Sequence, residues 1–436
     1  MTQRSPHPTR TPSTRTRGQR AARAAALLAT LSLPLALLAP AAGASASRAA
    51  APAADSAPEG PRLRDVTDKP VGTAVREEVL RRTDDIGARY RQTLAEEFSM
   101  VVPESELKFN RLRPRAGAEP ARPVAADYNL TLPQPILDAA AANGQEVRGH
   151  TLVWYRTNPA WILNTAYTGD QLLEIMRGHI AFTTRRYADR IDTWDVVNEA
   201  LDADGTLREP CNPDAPAAGA ECGRSGALSK ASVWQRIGGS EDYTHIIEAF
   251  RAARKNLPAS AKLYYNDFGI ERSGPKADGA LDLVKRLLAE TGETSDGQTR
   301  PLVDGIGFQA HLGVDWTPAY VADFRANMKR FTDLGLETQI TELDVGVDLP
   351  VTPAKLEVQK RVFHDIGRMC AEEEACTAIL LWGFSDRFQW IGEGWPGQYG
   401  AATVFDEEFA AKPGYFGFRD GLTLPTPLLT ASTGRR

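Results

Sequence analysis

What this chain can fold into is constrained most by an alternation, repeated eight times from about residue 70 to near the C-terminus, of short apolar runs with helical stretches. The apolar runs are 71–75, 98–102, 147–154, 193–198, 262–266, 305–311, 338–343 and 378–384. Each is of strand length and rich in β-branched and aromatic residues. Helical patterns fill the intervals: 77–96, 133–142, 169–187, 241–255, 279–291, 318–334 and 352–370, with a last helix beginning over 413–419. In the fourth, Ile246, Ile247, Phe250 and Ala253 recur at helical spacing, and Thr352-Pro353 places an N-cap before a proline at the first helical position. Eight β/α units with no repeat and no internal linker predict an α/β protein, a closed (β/α)8 barrel forming one catalytic domain over 63–422.

In such a barrel the chemistry lies at the C-terminal ends of the strands. The fourth strand ends in Asn198-Glu199 and the seventh in Glu342-Leu343-Asp344. A single Asn-Glu at a strand end is most simply a strand meeting solvent. Two strands that each deliver a carboxylate point instead to glycoside hydrolysis, which needs a pair flanking the scissile bond. The other ends continue the pattern: Glu104 and Lys108 after strand two, His150 and Trp154 at strand three, Asn266 and Asp267 after strand five, Gln309 and His311 at strand six, and Trp382 to Trp390 after strand eight. Tryptophans beside carboxylates suit sugars, whose C–H faces pack on aromatic rings while their hydroxyls pair with Asn, Gln, His and Lys. Either Trp382 or Trp390 alone would read as core; two together at a strand end do not.

Outside the barrel the chain is simpler. Residues 1–46 have a long Arg/Pro n-region without acids, an apolar stretch from Ala24 to Leu38 and small residues at Ala42, Ala44 and Ala46, the pattern of a secretory signal peptide. A retained anchor is disfavoured because the apolar stretch is short for a span and contains Pro34. Residues 47–62 read as an Ala/Pro-rich disordered spacer and 423–436 as an unstructured tail, and no appended binding domain is expected. Residues 202–231 read as an insertion on the upper face of the barrel. With 42% hydrophobic and 25% charged residues and a net charge of −5, the composition is that of a soluble globular protein and gives no reason to expect nucleic acid as a partner. After signal cleavage no membrane association is expected, and the chain is expected to be a secreted, extracellular monomer. The four cysteines, Cys211, Cys222, Cys370 and Cys376, allow three pairings in an exported chain, of which neighbour with neighbour is the simplest. No C-x-x-C or nearby His pair supports zinc, so no metal and no cofactor are expected. Glu372-Glu373-Glu374 reads as a solvated helix end rather than a calcium site.

The runs Arg148-Gly149-His150-Thr151-Leu152-Val153-Trp154, Trp194-Asp195-Val196-Val197-Asn198-Glu199-Ala200, Gln309-Ala310-His311, Ile340-Thr341-Glu342-Leu343-Asp344 and Trp382-Gly383, in that order, resemble glycoside hydrolase family 10, the endo-1,4-β-xylanases, across roughly 63–422. The resemblance implies hydrolysis of internal β-1,4 bonds of xylan, with Glu199 as acid/base and Glu342 as nucleophile. Such a retaining reaction uses two carboxyl groups only about 5–5.5 Å apart, one protonated and one ionised. It further implies that His311 holds the nucleophile, that Asp344 stands behind His311, and that Asn198 bonds the sugar 2-OH. Glu104, Lys108, His150, Trp154, Gln309, Trp382 and Trp390 match the glycone-side subsites.

Three segments depart from the family pattern. Glu104-Ser105 stands where Glu-Asn is usual, Trp154-Tyr155-Arg156-Thr157 where Trp-His-x-Gln is usual, and Asn266-Asp267-Phe268-Gly269 where Asn-Asp-Tyr-Asn is usual. These positions bear on substrate preference, so a relative acting on another β-linked polysaccharide is the alternative. A polysaccharide-binding protein without turnover is disfavoured, because degenerate sites lose a catalytic carboxylate and both are present here.

Overall fold

The computed structural model describes residues 58–211, 231–394 and 397–424. Eight parallel strands form a closed ring: β1 (Val71–Val75), β2 (Met100–Pro103), β3 (Glu146–Gly149), β4 (Thr193–Asn198), β5 (Lys262–Asp267), β6 (Gly305–Phe308), β7 (Glu337–Asp348) and β8 (Cys376–Leu381). Each pairs with the next in sequence, and β8 closes on β1 with Ile379 opposite Val71. The outer layer is α1 (Asp85–Glu97), α2 (Gln134–Asn143), α3 (Gly169–Tyr187), α4 (Thr244–Asn256), α5 (Pro275–Leu288), α6 (Pro318–Thr332), α7 (Pro353–Glu372) and α8 (Pro413–Leu422). The (β/α)8 barrel expected from the alternation is the architecture observed.

Local chemistry sets the helix boundaries. The Thr168 hydroxyl accepts from the Gln171 backbone N–H while the Gln171 side chain accepts from the Thr168 N–H, a reciprocal cap that starts α3. Thr317 and Thr352 cap α6 and α7, each followed by proline, whose missing N–H costs nothing at a helix start. The expected helix over 77–96 is broken: a short turn at Glu77–Leu80 ends, and α1 restarts where the Asp84 carboxylate accepts the Gly87 N–H. As α1 runs to Glu97, Phe98 ends the helix and β2 begins at Met100 rather than at Phe98. A hairpin of Thr291–Glu293 with Thr299–Pro301 follows α5, unforeseen in the sequence.

Apolar residues form one layer between the strands and the helices, and a smaller cluster of Ala74, Met100, Val102, Ala378, Leu380 and Trp382 involves β1, β2, β8 and the residue after β8. A polar network is buried with them. The Arg148 guanidinium grips both oxygens of Asp195, reaches Gln339 and lies 4.7 Å from the centre of the Tyr264 ring. All four of these side chains are buried; a charge there requires such pairing.

The strand ends are irregular in ways that aim side chains. Against β5, β4 shifts register between Asp195 and Val197; against β8, β7 shifts between Ile340 and Leu343. An extra residue in one strand bends it and re-aims the side chains beyond the bend, and these two shifts lie just before Glu199 and around Glu342. The third and sixth runs, read as continuous strands, are each interrupted. Val153–Trp154 pairs separately with β4, and His311–Gly313 with β7, after Ala310 adopts a left-handed φ of 58°. Conversely β7 is longer than expected, continuing to Asp348 to pair with His311–Gly313 and Tyr399–Gly400.

The expected signal segment 1–46, spacer residues 47–57 and tail residues 425–436 lie outside the described residues, as does Cys222. Of the expected spacer, residues 58–62 are held to the barrel: Arg62 pairs with Glu97 at 3.1 Å, and the Glu59 carbonyl accepts from Arg419 at 2.6 Å. Cys370 and Cys376 are joined by a disulfide between the end of α7 and the start of β8. Among the described residues no helix is long and apolar enough to cross a membrane.

Candidate active site

Strand register assembles a polar layer at the C-terminal end of the barrel. Trp154 lies opposite Asn198, Asn198 opposite Asn266, and Asn266 opposite Gly307. Because Gly307 has no side chain, the Asn266 amide fits in: a Cβ there would lie 2.2 Å from its Oδ1. The Thr341 hydroxyl donates to that oxygen at 2.6 Å, which turns the amide N–H2 toward its acceptors. One N–H goes to Asn198 Oδ1 at 2.9 Å and the other to Glu342 Oε1 at 2.8 Å. Gln309 Nε2 likewise donates to Asn198 Oδ1 at 3.2 Å and to Glu199 Oε1 at 3.0 Å. Glu199 and Glu342, 143 positions apart in the sequence, are thereby tied into one hydrogen-bonded layer. Both carboxylates are largely buried.

Their surroundings differ. Glu342 faces two imidazoles: His311 Nε2 contacts Oε2 at 3.2 Å, and His150 Nδ1 stands 3.9 Å from Oε1. Burial alone would raise the Glu342 carboxyl. The His311 hydrogen bond, with the charges of His150, His311 and Lys108, outweighs it and holds the group below its ordinary value. Burial alone would lower His311, but Asp344 at 2.9 Å on Nδ1 and Glu342 on the other nitrogen push it well above the ordinary imidazole range. An imidazolium therefore stands between two carboxylates, and register supplies the geometry because His311 lies directly opposite Asp344. Trp390 Nε1 donates to the same Asp344 oxygen at 2.7 Å and its ring packs 4.9 Å from the His311 ring.

Among the described residues the side-chain donors to Glu199 are neutral: Trp154 Nε1 at 2.8 Å on Oε2, and Gln309 with a longer contact from Asn198 (3.3 Å) on Oε1. Its φ is +56°, a left-handed conformation rare for a residue with a side chain. The Glu199 N–H donates to the Asn266 carbonyl at 2.9 Å and its carbonyl accepts from Arg208 Nε at 2.7 Å, which pin it there.

The remaining candidates gather around this pair. Lys108 Nζ lies 4.8 Å from the Trp154 ring centre and 5.7 Å from that of Trp382. Withdrawal from water lowers its ammonium, more than the charges of Glu104, Glu342 and Glu199 raise it. Trp382 meets His150 edge-on, and His150 Nδ1 is held by Asp195 at 3.0 Å. Glu104 is bound by Arg76 at 2.8 Å. Gln309 and Trp154, expected to contact sugar, bond a carboxylate directly. Sequence reasoning marks Asn266 only as a strand-end residue and misses the Arg148–Asp195 pair under His150. The signal that could have found them is phase: Arg148 and His150 are two apart in the third apolar run, as Tyr264 and Asn266 are in the fifth, and a spacing of two puts residues of a strand on one face. Among the described residues no group of three or more His, Cys, Asp or Glu side chains could hold a metal ion.

One carboxylate held ionised and another supplied with neutral donors, joined by two amides, can divide nucleophilic and proton-transfer work. The family signature of glycosyl hydrolase family 10 matches residues 63–421. Endo-1,4-β-xylanase D of Talaromyces funiculosus is 33% identical over 326 residues, covering 75% of this chain and 69% of the relative. Endo-1,4-β-xylanase B of Thermotoga neapolitana is 30% identical over 333 residues, covering 76% and 83%. Among solved structures, xylanase 10B of Thermotoga maritima superposes with a TM-score of 0.69 at 30% identity, over 83% of this chain and 98% of that one. Xylanase 10B of Thermotoga petrophila, solved with xylobiose, gives 0.70 at 28% identity, over 84% and 98%. The signature runs from the first residue of the expected barrel domain nearly to the end of α8, and on that extent the chain belongs to glycosyl hydrolase family 10.

Proposed function

We propose that this protein is a retaining endo-1,4-β-xylanase in which Glu342 is the nucleophile and Glu199 the acid/base. The observation that carries the division of roles is the asymmetry of hydrogen-bond partners: His311 and its Asp344 support belong to Glu342, whereas Glu199 is held by Trp154, Gln309 and Asn198. In the first step a Glu342 oxygen attacks the anomeric carbon while the proton of Glu199 passes to the departing glycosidic oxygen. The C–O bond breaks and a glycosyl ester on Glu342 remains. In the second step Glu199, now a carboxylate, takes a proton from water as that water attacks the anomeric carbon. Glu342 leaves as carboxylate and Glu199 is again protonated. Two displacements at one carbon preserve its configuration.

Asn198 is suited to bond the sugar 2-OH, an interaction that strengthens as charge develops at the anomeric carbon. The relatives named as endo-1,4-β-xylanases support xylan as substrate, and the half-buried Lys108 and Trp390 offer a polar group and a ring for its xylose units, with His150 and Trp382 buried beside them. The signal-like segment 1–46 supports export to the medium. The test is hydrolysis of purified xylan followed by NMR at early times. The β-anomer is expected to appear first, before mutarotation. An α-anomer as first product overturns the retaining assignment, and release of reducing ends from mixed-linkage β-glucan but not from xylan overturns the substrate.

A further inference from the structure

The segment 154–157, where the chain departs from the family pattern, is held more firmly than a surface loop requires. The Trp154 carbonyl accepts from Asn158 Nδ2 and Trp234 Nε1, both at 3.1 Å, and the Tyr155 carbonyl accepts from Asn158 Nδ2 at 3.0 Å. The Tyr155 ring is buried under the Arg208 guanidinium, 3.6 Å from its centre. Thr157 has φ +52°, an outlier for a β-branched residue, and its carbonyl accepts the Asn110 N–H at 2.9 Å. Such strain persists where surrounding contacts over-determine it, and it concentrates at ligand-binding segments.

Arg156 is the member of this rigid segment without an anion. Its half-buried guanidinium lies 5.7 Å from the centre of the Trp154 ring and makes no hydrogen bond or ion pair among the described residues. The acids that act on the adjacent Tyr155 are engaged elsewhere: Glu199 by Trp154, Gln309 and Asn198, and Asp267 by Lys276 and Tyr265. Arg208 shows the contrast, since its Nε is spent on the Glu199 carbonyl. A pre-positioned guanidinium presents a planar fork of donors that matches a carboxylate. The Trp154 ring that it faces is the one whose Nε1 donates to Glu199.

We propose that Arg156 selects for acidic substrate, receiving the carboxylate of a uronic-acid branch on a chain bound against Trp154. The inference rests on the xylanase reading above and adds to it a preference that the catalytic pair does not set. The experiment compares kcat/KM on glucuronoxylan and on the same polymer with its carboxyl groups reduced to alcohols, for the wild type, Arg156→Gln and Arg156→Lys, at low and high salt. The wild type is expected to favour the acidic polymer, and the ratio is expected to shrink with salt. Arg156→Gln should cut the ratio by about 5–10-fold, and Arg156→Lys, which keeps the charge but loses the fork, should fall between. Thermal melts of both variants separate misfolding from lost recognition. A wild type active on both polymers whose ratio is near one, or is unmoved by Arg156→Gln, overturns this proposal alone. A wild type inactive on every xylan overturns the xylanase reading and this proposal with it.

Discussion

The two halves of the site are built on opposite electrostatic plans. On the Glu342 side a charged His311 is clamped between two carboxylates, with His150 and Lys108 near by, so a buried carboxylate is kept anionic. On the Glu199 side the three side-chain donors are uncharged, and rigidity comes from the backbone: a left-handed φ, a strand-to-strand N–H bond and Arg208 on the carbonyl. A nucleophile needs a permanent charge. An acid/base must gain and lose a proton within one cycle, and a cation in direct contact would oppose the gain. The same barrel end meets both requirements: the His311 imidazole and the Gln309 amide both follow β6 yet turn to different carboxylates, and Asn198 at the end of β4 adds the second amide to Glu199.

The contrast is broken most directly at Glu342. Glu342→Gln should reduce xylan hydrolysis by about 10⁴-fold or more while the protein still folds to the wild-type secondary structure, read by reducing-sugar release and circular dichroism. Undiminished cleavage would remove Glu342 from its role. Glu199→Gln should cost about 10²–10⁴-fold on polymer, the usual range for proton transfer, and much less on an aryl xyloside whose leaving group needs no protonation. An equal loss on both substrates would show that Glu199 does not act as the acid.

The cationic half is sharpened by His311→Asn. Activity should fall by about 10²-fold as Glu342 loses its orientation, and the pH profile carries the sign. Glu342 is depressed in the folded protein, so it stays ionised, and stabilises the fold, above the ordinary carboxylate range and loses both as pH falls through its depressed value. Without His311 the acidic limb of kcat/KM should move to higher pH. His311 is raised, so its own stabilising contribution is full below the ordinary histidine range and is lost as pH rises through the raised value. The wild type should therefore lose more stability than His311→Asn on the alkaline side. The smallest expected effect is at the bridge between the halves. Asn266→Ala leaves Glu342 Oε1 and the Thr341 hydroxyl short of a partner, costing about 1–3 kcal/mol of stability by denaturant titration. It should lower kcat more than it raises KM.

Legibility in the sequence followed the range of the physics. The alternation of strand and helix, the cap at Thr352, and the polar residues at successive strand ends are local features, and the barrel and the two glutamates follow from them. Boundaries failed where a tertiary contact intervened: Phe98 closes a helix instead of opening a strand, and β7 extends because His311–Gly313 and Tyr399–Gly400 offer it partners. Some contacts could not be read at all: Trp154 and Gln309, read as sugar contacts, are in addition hydrogen-bonded to Glu199, and Glu104 is paired with Arg76.

By itself the sequence determined that eight β/α units would close on one another and that carboxylates would stand at the mouth, because side-chain period and strand length are properties of neighbouring residues. Only the tertiary structure decided which carboxylate meets an imidazolium and which meets neutral side-chain donors. That choice depends on cross-strand register, on the shifts before Glu199 and around Glu342, and on the space left by Gly307. Register is a relation between segments distant in the chain, settled only when the ring of strands is complete.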